Sequence, residues 1–260
     1  MAKKLKHKKR SLSFIRVIVY IIVGIFGLSI FMTLAYRWIN PPFTPLMLIR
    51  SIQDGESIKK DWVDLEDISP YMISAAIAAE DNNFLGHRGF DFGAIQKAVD
   101  LNKKGKRKRG ASTISQQTAK NVFLWPGRSW VRKGLEVYFT FLIETFWPKE
   151  RIIEVYLNVI EMGPGFYGSE AAAQHYFHIP AAKLSKRQAS LITACYPNPR
   201  KRNPTHPTSY INLRANQIAA LIPKFGKIKF DDKSLQKAKD RYHKREEKRI
   251  KKNDGKIIDL

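Results

Sequence analysis

Apolar and polar positions alternate along this chain in blocks. The longest apolar block is Val17–Tyr36, about twenty residues without a charge. As a helix it spans a hydrocarbon core of roughly 30 Å. Pro41, Pro42 and Pro45 then mark a linker. Its apolar patch, Leu46-Met47-Leu48-Ile49, is expected either to graze a membrane or to pack on the domain that follows. From Trp62 to Pro223 apolar stretches with helical spacing are separated by short polar breaks, and neither a strand pattern nor an internal repeat stands out. Tyr71–Ala79 predicts a buried, alanine-rich helix. The stretch after Ser129 is apolar nearly all round (Leu135, Val137, Tyr138, Phe139, Phe141, Leu142, Ile143), so a buried helix is predicted there as well. Pro148 is read as the first residue of a further helix, whose core face is Ile152, Ile153, Tyr156, Leu157 and Ile160. Gly163–Gly168 reads as a turn before the small-residue helix Ser169–Phe177. Lys224–Leu260 is rich in lysine and arginine with little periodic apolar content, and reads as a solvated helix or a disordered tail. The division that follows is a basic segment 1–16, a membrane helix 17–36, a linker 37–61, a main domain 62–223 and a basic tail 224–260.

The 260 residues carry a formal net charge of +23, and an apolar content of 44% is enough for a core. Such a balance implies a polyanionic partner. Lys3, Lys4, Lys6, Lys8, Lys9, Arg10 and Arg16 precede the apolar block, which keeps that end cytoplasmic by the positive-inside rule and exports everything after Arg37. A cleaved signal peptide is the alternative, but the apolar region is long and Thr33-Leu34-Ala35 is a poor cleavage site. An exported basic domain has no use for nucleic acid, so the polyanion is expected to be lipid phosphate outside a bacterial inner membrane. Cys195 is the single cysteine, set in an apolar run, and reads as a core residue.

Three stretches carry candidate chemistry. In the first, the Tyr71–Ala79 helix delivers Glu80 and Asp81 into a loop containing Asn82, Asn83, Gly86 and Gly89. A carboxylate at the end of an apolar helix is partly desolvated, which raises its pKa and suits it to act as a base near neutral pH. A solvated cap is the plainer reading of the same pair. The cationic loop between Leu101 and Gly110 (NKKGKRKRG) is expected to be exposed and to steer anions.

In the second stretch, GASTISQQTAKN at 110–121, Thr113 and Gln116 form a capping box that starts a helix. A helix N-terminus is a ready phosphate site, to which Ser112, Thr113, Gln116 and Gln117 add neutral donors and Lys120 a cation. In the third, Arg132 and Lys133 lie one turn before Glu136 with Arg128 close by. That pattern fits an ordinary intrahelical ion pair, or a pyrophosphate site with a second acid. Glu144, Asn158 and Glu161 are read as either site or supporting residues. His175 and His178 read as packing or surface residues, and His87 with Asp91 lacks an evident third metal ligand.

Together, Glu80-Asp81-x-x-Phe84-x-x-His87-x-Gly89-x-Asp91, Gly110-x-Ser112-Thr113-x-x-Gln116-Gln117-x-x-Lys120-Asn121, Arg132-Lys133-x-x-Glu136 and Tyr156-Leu157-Asn158 resemble the peptidoglycan glycosyltransferase family. This domain is shared by bifunctional penicillin-binding proteins and monofunctional transglycosylases, and the run from Arg109 to Glu136 is most similar to the monofunctional type. The resemblance covers roughly 62–204 and the anchor, and no serine-lysine transpeptidase motif follows.

The resemblance implies a mostly α-helical, lysozyme-like domain with a small membrane-proximal subdomain. It implies polymerisation of lipid II into β-1,4-linked glycan, with inversion and release of undecaprenyl pyrophosphate. By position, Glu80 would be the base and Glu136 the second acid. Lys120, Arg128 and Arg132 would hold the pyrophosphate, with Ser112, Thr113 and Gln117 donating to it. Asp81, Phe84, His87, Asn121 and Lys133 join the expected substrate-binding set. No cofactor or protein-held metal is expected to be obligatory, although Mg2+ or Mn2+ on the substrate pyrophosphate is compatible. The expected partners are lipid II, the growing glycan strand and other cell-wall synthesis proteins. Where many family members have an arginine shortly after the first motif, this chain has Lys97, which lacks the bidentate fork. The tail has no recognised counterpart. A lytic glycosidase of similar fold and a catalytically silent membrane scaffold are the competing functions.

Overall fold

The computed structural model describes residues 2–103, 105 and 110–258, with side chains described from Ile15 to Lys251 within those ranges. Most of the basic loop after Lys103 (Lys104, Lys106, Arg107, Lys108, Arg109) therefore lies outside the described residues, as do the side chains of the N-terminal lysines. The chain separates into two compact units, Met1–Asn40 and Pro41–Leu260. The first is one helix, α1 (Ala2–Ala35). Within it Ile15–Ala35 is long and apolar enough to cross a membrane, with a mean hydropathy of 2.6.

The second unit opens with α2 (Pro45–Asp54) and β1 (Lys59–Lys60), followed by α3 (Pro70–Glu80) and α4 (Phe92–Lys103). Next come α5 (Ile114–Phe123), α6 (Trp130–Phe146) and α7 (Lys149–Val159), then β2 (Glu161–Gly163), β3 (Phe166–Tyr167) and α8 (Ser169–Phe177). The chain closes with α9 (Lys186–Cys195), α10 (Ser209–Phe225) and α11 (Asp232–Ile258). The architecture is mostly α, as the apolar spacing predicts.

Helix α3 sits at the centre, packed against α9 and α10, while α5 rests on α6 and α7. Its start is set by Ser69, whose hydroxyl accepts from the Tyr71 amide, with Pro70 at the first helical position. Alanines at 75, 76 and 78 keep its sides thin and buried, so neighbouring helices approach closely. The Thr113–Gln116 capping box is formed, with both reciprocal bonds present. Ser129 caps α6 through the Arg132 amide.

Four expectations are corrected. Three short strands do exist, in the order β1-β3-β2, with β1 parallel and β2 antiparallel to β3. Residues 45–54, assigned to a linker, form a capped helix whose Met47 is fully buried and which touches α5. Its opposite face is open, with Ile52 83% exposed. Pro148 stands one residue earlier than expected, as the cap before α7.

Helix α6 is not buried all round. Glu136, Thr140, Leu142 and Ile143 face inward, while Trp130, Val137 and Phe141 form an exposed apolar stripe. The all-apolar composition thus serves two different surroundings rather than one core.

Between β3 and α8, Gly168 adopts φ +88°, and a Cβ there would lie 2.7 Å from the Asn158 carbonyl oxygen. Only glycine combines that backbone with that approach. Asn158 is itself buried, bonding the Val63 amide at 3.0 Å and its carbonyl at 2.9 Å, which makes it a support rather than a site residue. Glu161 likewise pairs with Arg200 at 2.7 Å, and Arg200 also reaches Glu56 at 2.7 Å, fastening β2 to the segment ahead of β1.

The tail is an ordered helix over most of its length. Tyr242 of α11 is buried, and its ring meets His87 edge-on with centroids 5.9 Å apart. Gly86 is the seat on which α11 rests: a Cβ there would lie 2.7 Å from Tyr242 Cβ and 3.0 Å from the Ala238 carbonyl oxygen, while Gly93 faces the movable end of Glu246.

Candidate active site

Glu80 is the last residue of α3 and half-buried. Gln117, on the first turns of α5, donates from Nε2 to Glu80 Oε2 at 2.8 Å, and its Oε1 accepts from the Tyr156 hydroxyl at 3.3 Å. Burial raises the Glu80 pKa above the ordinary 4.5, with some help from the neighbouring Asp81. The Gln117 hydrogen bond and the charges of Arg214 and Lys120 oppose the shift. The net result is a carboxylate held toward the range of a general base. Of the plain alternative, a solvated cap, the cap is present at Asp81, but Asp81 is buried and Glu80 half-buried, so neither faces open water.

Lys120, one turn beyond Gln117, lies within electrostatic reach of both Glu80 and Glu136. Its pKa is lowered, chiefly by burial; Glu136 and Glu80 pull it back up, while Arg132 and Lys133 depress it. Glu136 is buried and bonded on both oxygens, by Arg132 Nη1 at 3.2 Å and by Lys133 Nζ. Among the described residues the buried Arg132 Nε has no acceptor. A buried guanidinium N–H without a partner is costly, and an anionic ligand oxygen is the natural acceptor for it. The three cations therefore outnumber the one carboxylate they surround, leaving a net positive cradle beside Glu80.

The structure thus brings together Glu80, Gln117, Lys120, Arg132, Lys133 and Glu136 from α3, α5 and α6. Ser112 is exposed just before α5, and Arg128 is exposed two residues ahead of α6, outside the hydrogen-bonded cluster. The remaining predicted contact residues are buried, and Asp81, His87 Nε2 and Thr113 are hydrogen-bonded within the protein. Asp81 is buried and accepts from His87 Nε2 at 2.9 Å and from the Ile114 amide at 3.1 Å. His87 is thereby turned away from Asp91, which instead binds Asn83 Nδ2 at 2.8 Å and the Ala94 amide at 2.9 Å. Thr113 donates to the Gly89 carbonyl at 2.6 Å while capping α5. Phe84 is fully buried beneath Lys149, whose Nζ lies 4.6 Å from the ring centre, and Asn121 is buried on α5. Glu144 pairs with Lys149 at 2.7 Å and accepts from Ser115, which makes it structural. Lys97 is exposed on α4.

Two residues near Glu80, Arg214 and Tyr196, escaped the sequence reading, and a third, Tyr156, was read only as a core and motif residue. Arg214 of α10 donates to the Ala79 carbonyl at 3.3 Å and bears on the Glu80 carboxylate. Its signal was available: it shares the face of α10 that buries Ile211, Ala215 and Ile218, an unusual place for a cation. Tyr156 and Tyr196 both have pKa values raised well above 10, first by burial and then by the charge of Glu80, so their hydroxyls stay protonated beside it. Among the described residues the Tyr196 hydroxyl has no hydrogen-bond partner. Among the described residues, no group of three or more His, Cys, Asp or Glu side chains is arranged to hold a metal ion.

Comparison with known proteins finds the Transglycosylase family model matching residues 47–222. The chain is 52% identical over 238 residues to a biosynthetic peptidoglycan transglycosylase of Bdellovibrio bacteriovorus, covering 85% of this chain and 95% of that one. It is 52% identical over 230 residues to the protein of the same name from Bacteroides thetaiotaomicron, covering 84% and 93%. It is 55% identical over 183 residues to one from Caulobacter vibrioides, covering 70% and 80%.

Proposed function

The chain belongs to the transglycosylase family, and on that premise we propose that it polymerises lipid II into glycan strands in cell-wall synthesis, with Glu80 as the base. The acceptor sugar's 4-hydroxyl gives its proton to the Glu80 carboxylate as the oxygen attacks the anomeric carbon of the donor. The bond from that carbon to the phosphate oxygen breaks on the opposite face, so the centre inverts and the lipid pyrophosphate departs. The leaving group is already good. What the protein adds is a base and fixed positive charge where negative charge develops.

The observation that carries this reading is the Gln117 hydrogen bond to Glu80 beside the Arg132–Glu136–Lys133 cluster, with Lys120 within electrostatic reach of both carboxylates. In our assignment Lys120 and Arg132 take the departing pyrophosphate, with the free Arg132 Nε as one donor. Glu136 holds Arg132 and Lys133 in place and sits beside the donor phosphate. Ser112 and Arg128, both exposed, are assigned to the outer edge of the substrate. Asp81, Phe84, His87, Thr113 and Asn121 are assigned to positioning, since they shape the loop and the α5 terminus rather than open onto a cleft. A divalent cation, if one takes part, is assigned to the substrate's own pyrophosphate.

Ile15–Ala35 is assigned as an anchor, with the basic N-terminus cytoplasmic and the domain from Pro41 onward outside. Incubation of the full chain with lipid II tests the reading. Polymer formed by wild type and not by Glu80→Gln supports it. Loss of preformed glycan without polymer points to a lytic enzyme, and activity in cells unaffected by Glu80→Gln points to a scaffold.

A further inference from the structure

We propose that the cavity between α10, α11 and the loop after α3 is a second binding site, for a phosphate-bearing anion. The cavity measures about 490 Å³, and none of Glu80, Lys120, Arg132 or Glu136 lines it. Lys224, Lys227, Lys229, Lys237, Arg241 and Arg245 do, and no aspartate or glutamate accompanies them. All six lie beyond residue 222, where the family match ends, while Ile77, Asn83 and Leu221 of the matched region also line the cavity.

Its construction follows from the sequence. Lys237, Arg241 and Arg245 recur at four-residue spacing and so share one face of α11. The three lysines come from the end of α10 and the turn after it, and face that helix across the gap. Carboxylates of the same segment are engaged elsewhere: Asp231 accepts from Ser234 at 2.9 Å, Asp240 from Gln236 at 2.8 Å, and Glu246 pairs with Arg249 at 2.7 Å. Like charges gathered around one concavity repel, and a bound anion relieves that repulsion.

Cations converging from two walls match a tetrahedral group with three or four acceptor oxygens and up to two charges. A planar carboxylate presents only two oxygens to them. Arginine forks add bidentate recognition to the lysine point charges. The floor is apolar, made by Ile77, Leu221, Phe225 and Ile228. The wall toward the active site is Asn83, three residues after Glu80, which Arg245 Nη1 reaches at 3.3 Å. A free phosphate and a lipid headgroup share the required chemistry.

The test uses the full chain in nonionic detergent, carrying Lys120→Ala and Arg132→Ala so that the catalytic cradle is silent. Calorimetric titrations with inorganic pyrophosphate and with short-chain phosphatidylglycerol are run in parallel. Saturable binding of the first identifies a soluble ligand, and binding of the second alone a headgroup. Adding Lys237→Glu with Arg241→Glu weakens binding by about tenfold or more, the worth of one charge-assisted hydrogen bond. Lys227→Gln with Lys229→Gln does the same from the other wall, leaving α11 untouched. Lys244→Glu with Lys248→Glu, which do not line the cavity, changes it by less than about twofold, as for solvated surface charges. Binding of neither probe, no loss in the two cavity pairs, or equal loss in the control pair overturns the proposal. Because polymerisation is not measured, its failure leaves the catalytic reading untouched.

Discussion

Gln117 donates to Glu80 at 2.8 Å across 37 residues of chain. That bond fixes which oxygen of the carboxylate is occupied and leaves the other free to take a proton. It also joins α3 to α5, as does the Asp81 bond to the Ile114 amide, so the base and the cationic cradle are tied to each other directly.

Replacing Glu80 by Gln keeps the shape and the Gln117 contact but removes the base. Polymerisation of lipid II is expected to fall by about 10²–10⁴-fold, the usual worth of a general base. Far-ultraviolet circular dichroism and the thermal midpoint should show an intact fold.

The acidic limb of the rate profile should belong to Glu80 and lie above pH 4.5, because burial raises its pKa. Gln117 lowers that pKa by bonding the ionised form. Gln117→Ala should therefore move the limb to higher pH, which initial rates across pH 4 to 8 will read. An unmoved or lowered limb would take Glu80 out of that role. The stability sign is consistent: a carboxyl whose folded pKa exceeds its unfolded one favours the fold below the unfolded value and loses that contribution as pH rises through the folded one. Glu80→Gln should thus compare better with wild type in thermal stability at pH 7 than at pH 4.

On the alkaline side the cradle should fail before a free lysine would, since burial lowers the Lys120 pKa from 10.5. Glu136 is the largest influence holding it up. Glu136→Gln should shift the alkaline limb to lower pH, besides reducing the rate. Lys120→Ala should raise the KM for lipid II without unfolding the chain. A variant that melts instead would make Lys120 structural.

Asp81→Ala removes the acceptor for both His87 and the Ile114 amide. Leaving a buried donor without its acceptor costs about 1–3 kcal/mol for each donor. A fall of that order in denaturation free energy is expected, together with lost activity at growth temperature. Asp81→Ala at wild-type stability would instead return Asp81 to a substrate-contacting role.

The helices were legible because their signals are local. The Thr113–Gln116 pair announces its own capping box, and Tyr71–Ala79 has the composition of a helix that must be enclosed. The strands were not, because β1 and β3 are two residues each and pair across more than a hundred positions, with nothing nearby to mark them. For the tail, the charged composition left a solvated helix and a disordered segment both open, and hid the role of Tyr242, whose buried ring docks α11. At the site, residue types identified the chemistry and its neighbourhood. Which of them face a ligand depends on partners far away in sequence: Asp81 and Glu80 are adjacent, yet one is bound to His87 and the other to Gln117. Arg214 and Tyr196, brought in from α10 and the end of α9, lay beyond any motif.

Because α11 rests directly on Gly86, the far end of that helix is not a neutral handle for the experimenter. A purification tag, fluorescent fusion or immobilising linker attached there pulls on a rod whose near side touches the segment carrying the base. Assays that compare such fusions with the native chain would be measuring leverage as well as chemistry.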